Sequence, residues 1–379
     1  MKRYRFSDIA YNITEKKMPV AGDEKLYIGL EHLDSGSLKV TRWGGSIELK
    51  GEKLVMKKGD VLFGRRNTYL RRAAIAPHDG IFSAHGMIFR PKTDVVDPTF
   101  FPFFIASDYF MDEAIRISVG SLSPTVNWGT LKNLEFDLPS IPEQQKHARL
   151  LAAFERTKEA YKNLISATDD LVKSQFIEMF GLPSENRHGY EVGLVGDVVC
   201  DVHYGTSKKA SDDGKYTYLR MNNITFSGEL DLTDTKRINV SDKDLAGCVV
   251  KRGDVLFNRT NSRDLVGKTC VFNLDEPMVI AGYIIRLRMN GCVIPEYLST
   301  FLNLDSSKKM LYSMAKGAVG QANINAQEVQ AIELVIPPRE AQLPFKSIVE
   351  QSDKSKFAAQ QALTEIVAAQ KALMKKIFE

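Results

Sequence analysis

Apolar and polar positions alternate most regularly between residues 142 and 180, where Pro142 is followed by EQQKHARLLAAFERTKEAYKNLISATDDLVKSQFIEMF. Leu150, Phe154, Thr157, Tyr161, Leu164, Thr168, Leu171 and Gln175 recur at steps of four and three, and Leu151, Ile165, Val172 and Met179 widen the stripe on one side. This is the period of a coiled-coil seam on one long helix. Pro142 is placed to begin that helix, and Gly181 followed by Pro183 to end it. At about 1.5 Å per residue the rod is expected to be roughly 55 to 60 Å long. A helix with one apolar stripe needs a partner to cover it.

The last 43 residues supply the partner. From Pro337 the sequence PPREAQLPFKSIVEQSDKSKFAAQQALTEIVAAQKALMKKIFE repeats the design at a displacement of 198, with Pro337 answering Pro139 and Phe378 answering Phe180. The seam transfers without a gap to Ile348, Ser352, Ser355, Ala359, Ala362, Ile366, Ala369 and Leu373. These side chains are mostly small, which predicts close approach of two helices within one chain.

Each predicted helix follows a strand-rich stretch of short apolar runs broken by Gly, Asp and Asn. Lys58-Gly59-Asp60-Val61-Leu62-Phe63 leads into a polar loop with four arginines in eight residues, Arg65, Arg66, Arg71 and Arg72. Arg252-Gly253-Asp254-Val255-Leu256-Phe257 repeats it before Asn258-Arg259-Thr260-Asn261. Gly282 to Arg286 answers Gly86 to Arg90, Pro295 to Leu298 answers Pro98 to Phe101, and Ile324-Asn325 answers Val126-Asn127. The chain therefore reads as a duplication, α+β in class, in four segments: 1–138, 139–181, 182–336 and 337–379. Two copies do not make an open solenoid.

Composition adds limits. With 379 residues, 44% hydrophobic and 26% charged, two or three globular domains are expected. No run is apolar enough to span a membrane and Met1 to Phe6 lacks a signal-peptide core, so a cytoplasmic protein is expected. Cys200, Cys248, Cys270 and Cys292 form no C-x-x-C pair and are read as buried free thiols. The net charge is only +4, from 51 basic and 47 acidic residues, so a nucleic-acid role must rest on local clusters.

No phosphate loop, H-E-x-x-H, nucleophile elbow or Asn-Pro-Pro-aromatic tetrapeptide is present. Glu48-Leu49-Lys50 has a spacing found in some nucleases, but such a triplet arises by chance. His32, His78, His85, His147, His188 and His203 are scattered and read as ordinary surface or core residues. The basic loops carry more chemistry. Arg65, Arg66, Arg71 and Arg72 with Asn67 and Tyr69 offer forks for phosphates and guanine and an amide for adenine. Their counterpart is Arg259, Asn261, Arg263 and Lys268. Further polar groups are Lys208, Lys209 and Arg220, and Lys316 with Gln321 and Asn323. A solvated face is the bland account of any such cluster. Recurrence after the same strand in both halves favours DNA contact.

The segments Pro139-Ser140-Ile141-Pro142-Glu143-Gln144 and Pro337-Pro338-Arg339-Glu340-Ala341-Gln342 each open a helix that ends near a Phe, and each follows a domain with Gly-Asp-Val-Leu-Phe. With Leu194 to Val198, His203-Tyr204-Gly205-Thr206 and Tyr218-Leu219-Arg220, the whole chain resembles the specificity subunit of type I restriction-modification systems. The first domain lacks the Gly-Thr loop, and Glu340-Ala341-Gln342 departs from the Glu-Gln pair, so the helix is implied there but no specific contact. The resemblance implies two tandem target recognition domains separated by two long antiparallel coiled-coil helices in a pseudo-twofold arrangement. Each domain would read one half of a bipartite, asymmetric site on double-stranded DNA. B-DNA repeats every 34 to 36 Å, within reach of such a rod.

The same resemblance implies a non-catalytic chain that binds no cofactor. S-adenosylmethionine would belong to two methyltransferase subunits, and ATP with Mg to a restriction or motor subunit. Arg149, Arg156, Lys162, Lys354, Lys356 and Lys371 on the helices are candidate docking residues, as are the apolar Phe176, Phe180 and Phe378 beside the seam. Three other readings stay open: a subunit of a different phage-defence methyltransferase complex, a coiled-coil adaptor with no DNA role, and an enzyme with a degenerate motif.

Overall fold

A computed structural model describes residues 1–45, 49–317 and 320–378 and divides the chain into two units. One is Met1–Tyr161 together with the segment from Ala362 onward; the other is Lys162–Gln361. Two 40-residue helices, Ile141–Phe180 and Arg339–Phe378, each contribute one half to either unit. The first unit holds the start of the central helix and the end of the C-terminal one, and the second unit the reverse. Within each unit the two segments therefore run antiparallel.

The repeated Gly-Asp turn is structural. Gly59 and Gly253 both sit at φ +90°, a backbone region that costs a Cβ-bearing residue dearly. The aspartate after each folds back to accept the N–H three residues earlier, Lys57 at 2.8 Å and Lys251 at 2.9 Å. Each aspartate is buried and braced by a two-pronged arginine from a neighbouring strand, Arg90 on Asp60 and Arg288 on Asp254, at 2.8 and 2.9 Å in both cases. The strands that follow, Val61–Phe63 and Val255–Asn258, are the fully buried centres of matching antiparallel sheets. In the first unit the order is Ala10–Ile13, Met87–Pro91, Val61–Phe63, Ala73–Ile75; in the second it is Val199–Tyr204, Ile284–Met289, Val255–Asn258, Thr269–Val271. A second sheet in each unit pairs one strand in parallel and another antiparallel to the same partner: Tyr27–Ile28 and Lys53–Met56 on Gly80–Phe82, and Tyr216–Leu219 and Val249–Val250 on Met278–Ile280. Two short helices follow in both, Phe101–Ala106 with Asp108–Arg116, and Pro295–Asn303 with Asp305–Met314. The duplication is thus present at the level of strand pairing.

Each long helix is locked to its unit by a buried glutamine. Gln144 accepts the Asp97 N–H at 2.8 Å and donates to the carbonyls of Val95 and Pro139 at 3.2 and 2.9 Å. Gln342, 198 residues on, accepts the Ile294 N–H at 2.8 Å and donates to the carbonyls of Cys292 and Pro337 at 2.9 and 2.7 Å. Both are wholly buried. The Glu340-Ala341-Gln342 segment, where no contact was expected, thus makes the same three as its counterpart.

Half of the expected seam faces inward, Phe154, Tyr161, Thr168 and Gln175 being half-buried, and the other half is displaced by one position. Leu150, Leu164 and Leu171 are 45%, 49% and 51% exposed, whereas Ala148, Leu151, Phe176 and Phe180 are buried and Ile165 and Val172 half-buried. The rest of the inward line is what looked like the edge of the stripe. Polar layers interrupt it and hid it from an apolar count. Lys158 pairs with Glu155 at 2.7 Å, and Glu155 also accepts from Gln370 at 2.7 Å. In the second unit Lys356 joins Asp169 and Glu229 at 2.9 and 2.7 Å. Lys356, expected on an outer docking face, is therefore an inward residue. On the C-terminal helix Ser352 and Ala359 are buried as expected of a small-residue seam, while Ser355 and Ala369 face out.

Phe176, Phe180 and Phe378 also need correcting. Phe176 and Phe180 are completely buried, with Phe176 4.8 Å and Phe180 5.0 Å from the Tyr297 ring and both against Phe345. Phe378 stacks on Tyr109 at 5.0 Å and touches Phe100 and Phe104, each at 5.9 Å. Aromatic burial of this size outweighs any role as a free docking patch. The cysteines divide evenly, Cys248 and Cys270 buried, Cys200 and Cys292 exposed.

Truncation at the glutamine lock strands one amide and two carbonyls, so Gln144→Ala is expected to destabilise the first unit by about 2 to 4 kcal/mol in urea titrations. Phe176→Ala should cost the second unit about 3 to 5 kcal/mol. Leu164→Ser, on the outer face, should cost less than about 0.5 kcal/mol.

Candidate nucleic-acid interface

In each unit the loop after the central strand is pinned by a hairpin that comes just before the long helix. In the first unit Val119 and Thr125 exchange N–H···O bonds of 3.1 and 2.9 Å, and the hairpin then holds the arginine loop through Asn67 N–H to Pro124 and Val126 N–H to Arg65, at 2.7 and 3.0 Å. In the second, Lys316 and Asn323 exchange bonds of 3.3 and 2.9 Å, and Ile324 N–H reaches the Arg259 carbonyl at 2.9 Å. Arg65 and Arg259 thus occupy equivalent backbone positions. The Nε of each is buried with no hydrogen-bond partner.

The first loop is tightly wound. Asn67 and Arg71 take left-handed conformations, φ 54° and 48°, on either side of a single turn, Thr68–Leu70. Tyr69, 56% exposed, and Arg66 project outward, the Arg66 guanidinium donating to Ser123 Oγ at 3.3 Å. Arg71 is drawn onto the helix Asp108–Arg116, where it pairs with Asp108 at 2.9 Å and with Asp112. Arg72 donates to the Leu30 carbonyl at 2.9 Å. Of the four predicted arginines, Arg71 and Arg72 hold the loop, while Arg65 and Arg66 have no carboxylate partner among the described residues.

The second unit sorts its candidates similarly. Lys208 pairs with Asp244, Arg220 with Asp234 and Lys316 with Glu328, at 2.8, 2.8 and 2.7 Å. Lys208 holds the Asp244 carboxyl, and Lys316 the Glu328 carboxyl, below the usual carboxylate range. The Asn261 amide donates to Asn258 at 2.9 Å and Asn323 accepts from Thr260 at 2.9 Å, so both serve the loop's own structure. Lys209 and Gln321 are exposed. Lys268 does not reach the surface: it is buried and donates to the Met221 carbonyl at 2.6 Å. Arg259 lies 4.8 Å from the centre of the Tyr204 ring, and Arg263 lies 4.5 Å from that of Tyr312. Neither tyrosine was singled out as a site residue from the sequence. Tyr204 was visible only as part of the His-Tyr-Gly-Thr run, and Tyr312 carried no signal.

Glu48, the first residue of the Glu-x-Lys triplet, lies outside the described residues. Among the described residues no group of three or more His, Cys, Asp or Glu is placed to hold a metal ion, and no helix is long and apolar enough to cross a membrane.

Residues 3–167 match the family model described as type I restriction modification DNA specificity domain. That match covers the first unit's domain and the start of the central helix. The MjaX type I restriction enzyme specificity subunit of Methanocaldococcus jannaschii is 27% identical over 193 residues, half of this chain and 45% of that protein. The EcoKI specificity subunit of Escherichia coli K12 is 23% identical over 296 residues, 73% of this chain and 62% of that protein. The chain thus spans less than two thirds of either relative. Two solved structures share the fold over the whole chain. One comes from work on complex assembly and conformational transition of the type I R-M system (19% identity, TM-score 0.56, 97% of that chain). The other is the S subunit of a type I restriction-modification system from M. genitalium (12%, 0.55, 96%). The matching strand order and pinned loop of the second unit make it a second copy of the same fold, outside the residues that the family model matches.

Beneath the second loop lies a group of inward lysines. Lys308 donates to the Gly267 carbonyl at 2.8 Å, and burial, with Lys173 and Lys268 nearby, pushes its ammonium down to about 7. An unfolded lysine titrates near 10.4, so between about pH 7 and 10 the unfolded chain holds a proton the folded one does not. Stability should therefore rise with pH across that window. Thermal melts at pH 7 and 9 should show the rise, and Lys308→Met should flatten it.

Proposed function

We propose that this chain is the DNA-reading specificity subunit of a type I restriction-modification complex, each unit taking one half of a bipartite, asymmetric site. One observation carries the reading. The same scaffold appears twice, with a loop arginine fixed at the same backbone position in each unit, while the side chains around it differ. A reader built that way presents equal frames to two unlike sequences. Cations already paired to carboxylates are weakened as phosphate ligands, so base readout falls to Arg65, Arg66 and Arg259, with Lys209 and Gln321 at the edge.

The subunit binds no cofactor and performs no chemistry itself. Its partners are two methyltransferase subunits carrying S-adenosylmethionine, joined by a restriction or motor subunit using ATP and Mg, in the cytoplasm. Leu164 and Leu171 replace Phe176, Phe180 and Phe378 as the apolar docking residues, since they are half-exposed and stand seven positions apart on one helix face.

Co-expression with the adjoining methyltransferase gene, followed by sequencing of N6-methyladenine in host DNA, should give a split motif with two unlike halves and a fixed spacer. A host genome with no such motif, from a complex that is not retained on DNA at moderate salt, would leave a coiled-coil adaptor as the better account. Leu164→Ser with Leu171→Ser should reduce methyltransferase co-purification without shifting the melting temperature.

A further inference from the structure

We propose that Arg259 reads a guanine in the half-site taken by the second unit and that Tyr204 is the residue that positions it. This rests on the DNA-reading function proposed above and adds which base is read and what holds the reader in place.

The backbone of Arg259 is fixed on both sides: its N–H donates to the Tyr283 carbonyl and its carbonyl accepts from Ile324, each at 2.9 Å. Its side chain has no such constraint from acids. Among the described residues no carboxylate pairs with it, its Nε has no partner, and its one polar contact is a long 3.4 Å reach from Nη1 to the Gly282 carbonyl. What lies beneath it is the Tyr204 ring, 4.8 Å away. Tyr204 ends the strand Val199–Tyr204, and its hydroxyl accepts the Ala326 N–H at 2.9 Å. The next residue, Gly205, leaves no room for a side chain, because a Cβ would stand 2.2 Å from the Ile280 carbonyl oxygen. The ring is therefore clamped at both ends.

A guanidinium laid on a ring keeps its charge and its outer N–H pair, which is the geometry that meets guanine O6 and N7. The neighbouring arginine differs. Arg263 spends its Nε on the Tyr312 carbonyl at 3.2 Å and anchors the loop.

The test uses the complex with its methyltransferase and duplexes bearing the mapped motif, each position of both halves replaced in turn, with methyl transfer as the readout. The wild type should prefer guanine at one position by about 5- to 150-fold. Tyr204→Ala should remove most of that preference and leave every other position unchanged, while Tyr204→Phe, which keeps the ring, should retain it within about threefold. Arg259→Ala should lose it at the same position. If Tyr204→Ala keeps the preference, or Arg259→Ala weakens transfer equally on all sequences, the proposal is overturned and Arg259 holds a phosphate. A wild-type complex without any sequence preference would instead defeat the DNA-reading function itself.

Discussion

Everything in this fold that depends on direction passes through the buried glutamine at the start of each long helix. A primary amide has one good acceptor and two donors, and Gln144 and Gln342 each use all three on backbone groups. Such a site is unforgiving. A shorter or apolar side chain leaves buried backbone groups unpaired, so the helix cannot rotate or slide relative to the domain without losing several hydrogen bonds together. The far end of each helix is held differently, by the ring of Phe180 on Tyr297 and that of Phe378 on Phe100 and Tyr109. Hydrogen bonds set orientation at one end and aromatic burial supplies most of the area at the other.

The second fixed point is the aspartate-arginine brace under the central strand. Asp60 and Asp254 are nearly inaccessible, a setting in which an ion pair gains little net stability over an apolar pair. Its value is specification. Each aspartate closes its own turn and takes both prongs of its arginine, which fixes where the strand ends and the loop begins. The loops above are then free to vary. This separation of frame from loop explains how equivalent backbone positions can carry Arg259 over the Tyr204 ring in one unit and, in the other, an arginine that lies over no ring among the described residues.

Much of this was legible in the sequence. The 198-residue displacement located both helices, and the Gly-Asp repeat marked the same strand twice, because glycine at positive φ followed by a turn-closing acid is a local rule. The Leu150, Leu164 and Leu171 half of the seam is displaced by one residue because Lys158, Glu155, Asp169 and Lys356 occupy inward positions as ion pairs, and a count of apolar residues skips them. The assignment of Phe176 and Phe180 to a surface failed for a related reason: helical periodicity does not show that a domain covers the outer side of a two-helix seam. Within the candidate interface, sequence clustering found the right loops but could not tell Arg71, held by carboxylates, from Arg66, which is not. That distinction depends on Asp108 and Asp112, some forty residues away.

The two units also solve one energetic problem in different ways. A free arginine side chain carries about 2 kcal/mol of rotamer entropy, which binding must remove unless the fold has already done so. In the first unit the loop arginine Arg71 is immobilised by two carboxylates on the helix below, which also cancel its charge toward a polyanion. In the second unit the corresponding helix offers Tyr312 to Arg263, and the strand end offers Tyr204 to Arg259. A ring restricts the guanidinium without neutralising it, so Arg259 keeps its attraction for phosphate and base, whereas Arg263 also spends its Nε on the Tyr312 carbonyl. On the proposed DNA-reading function, Arg259 would meet DNA with less ordering left to be done than a free arginine.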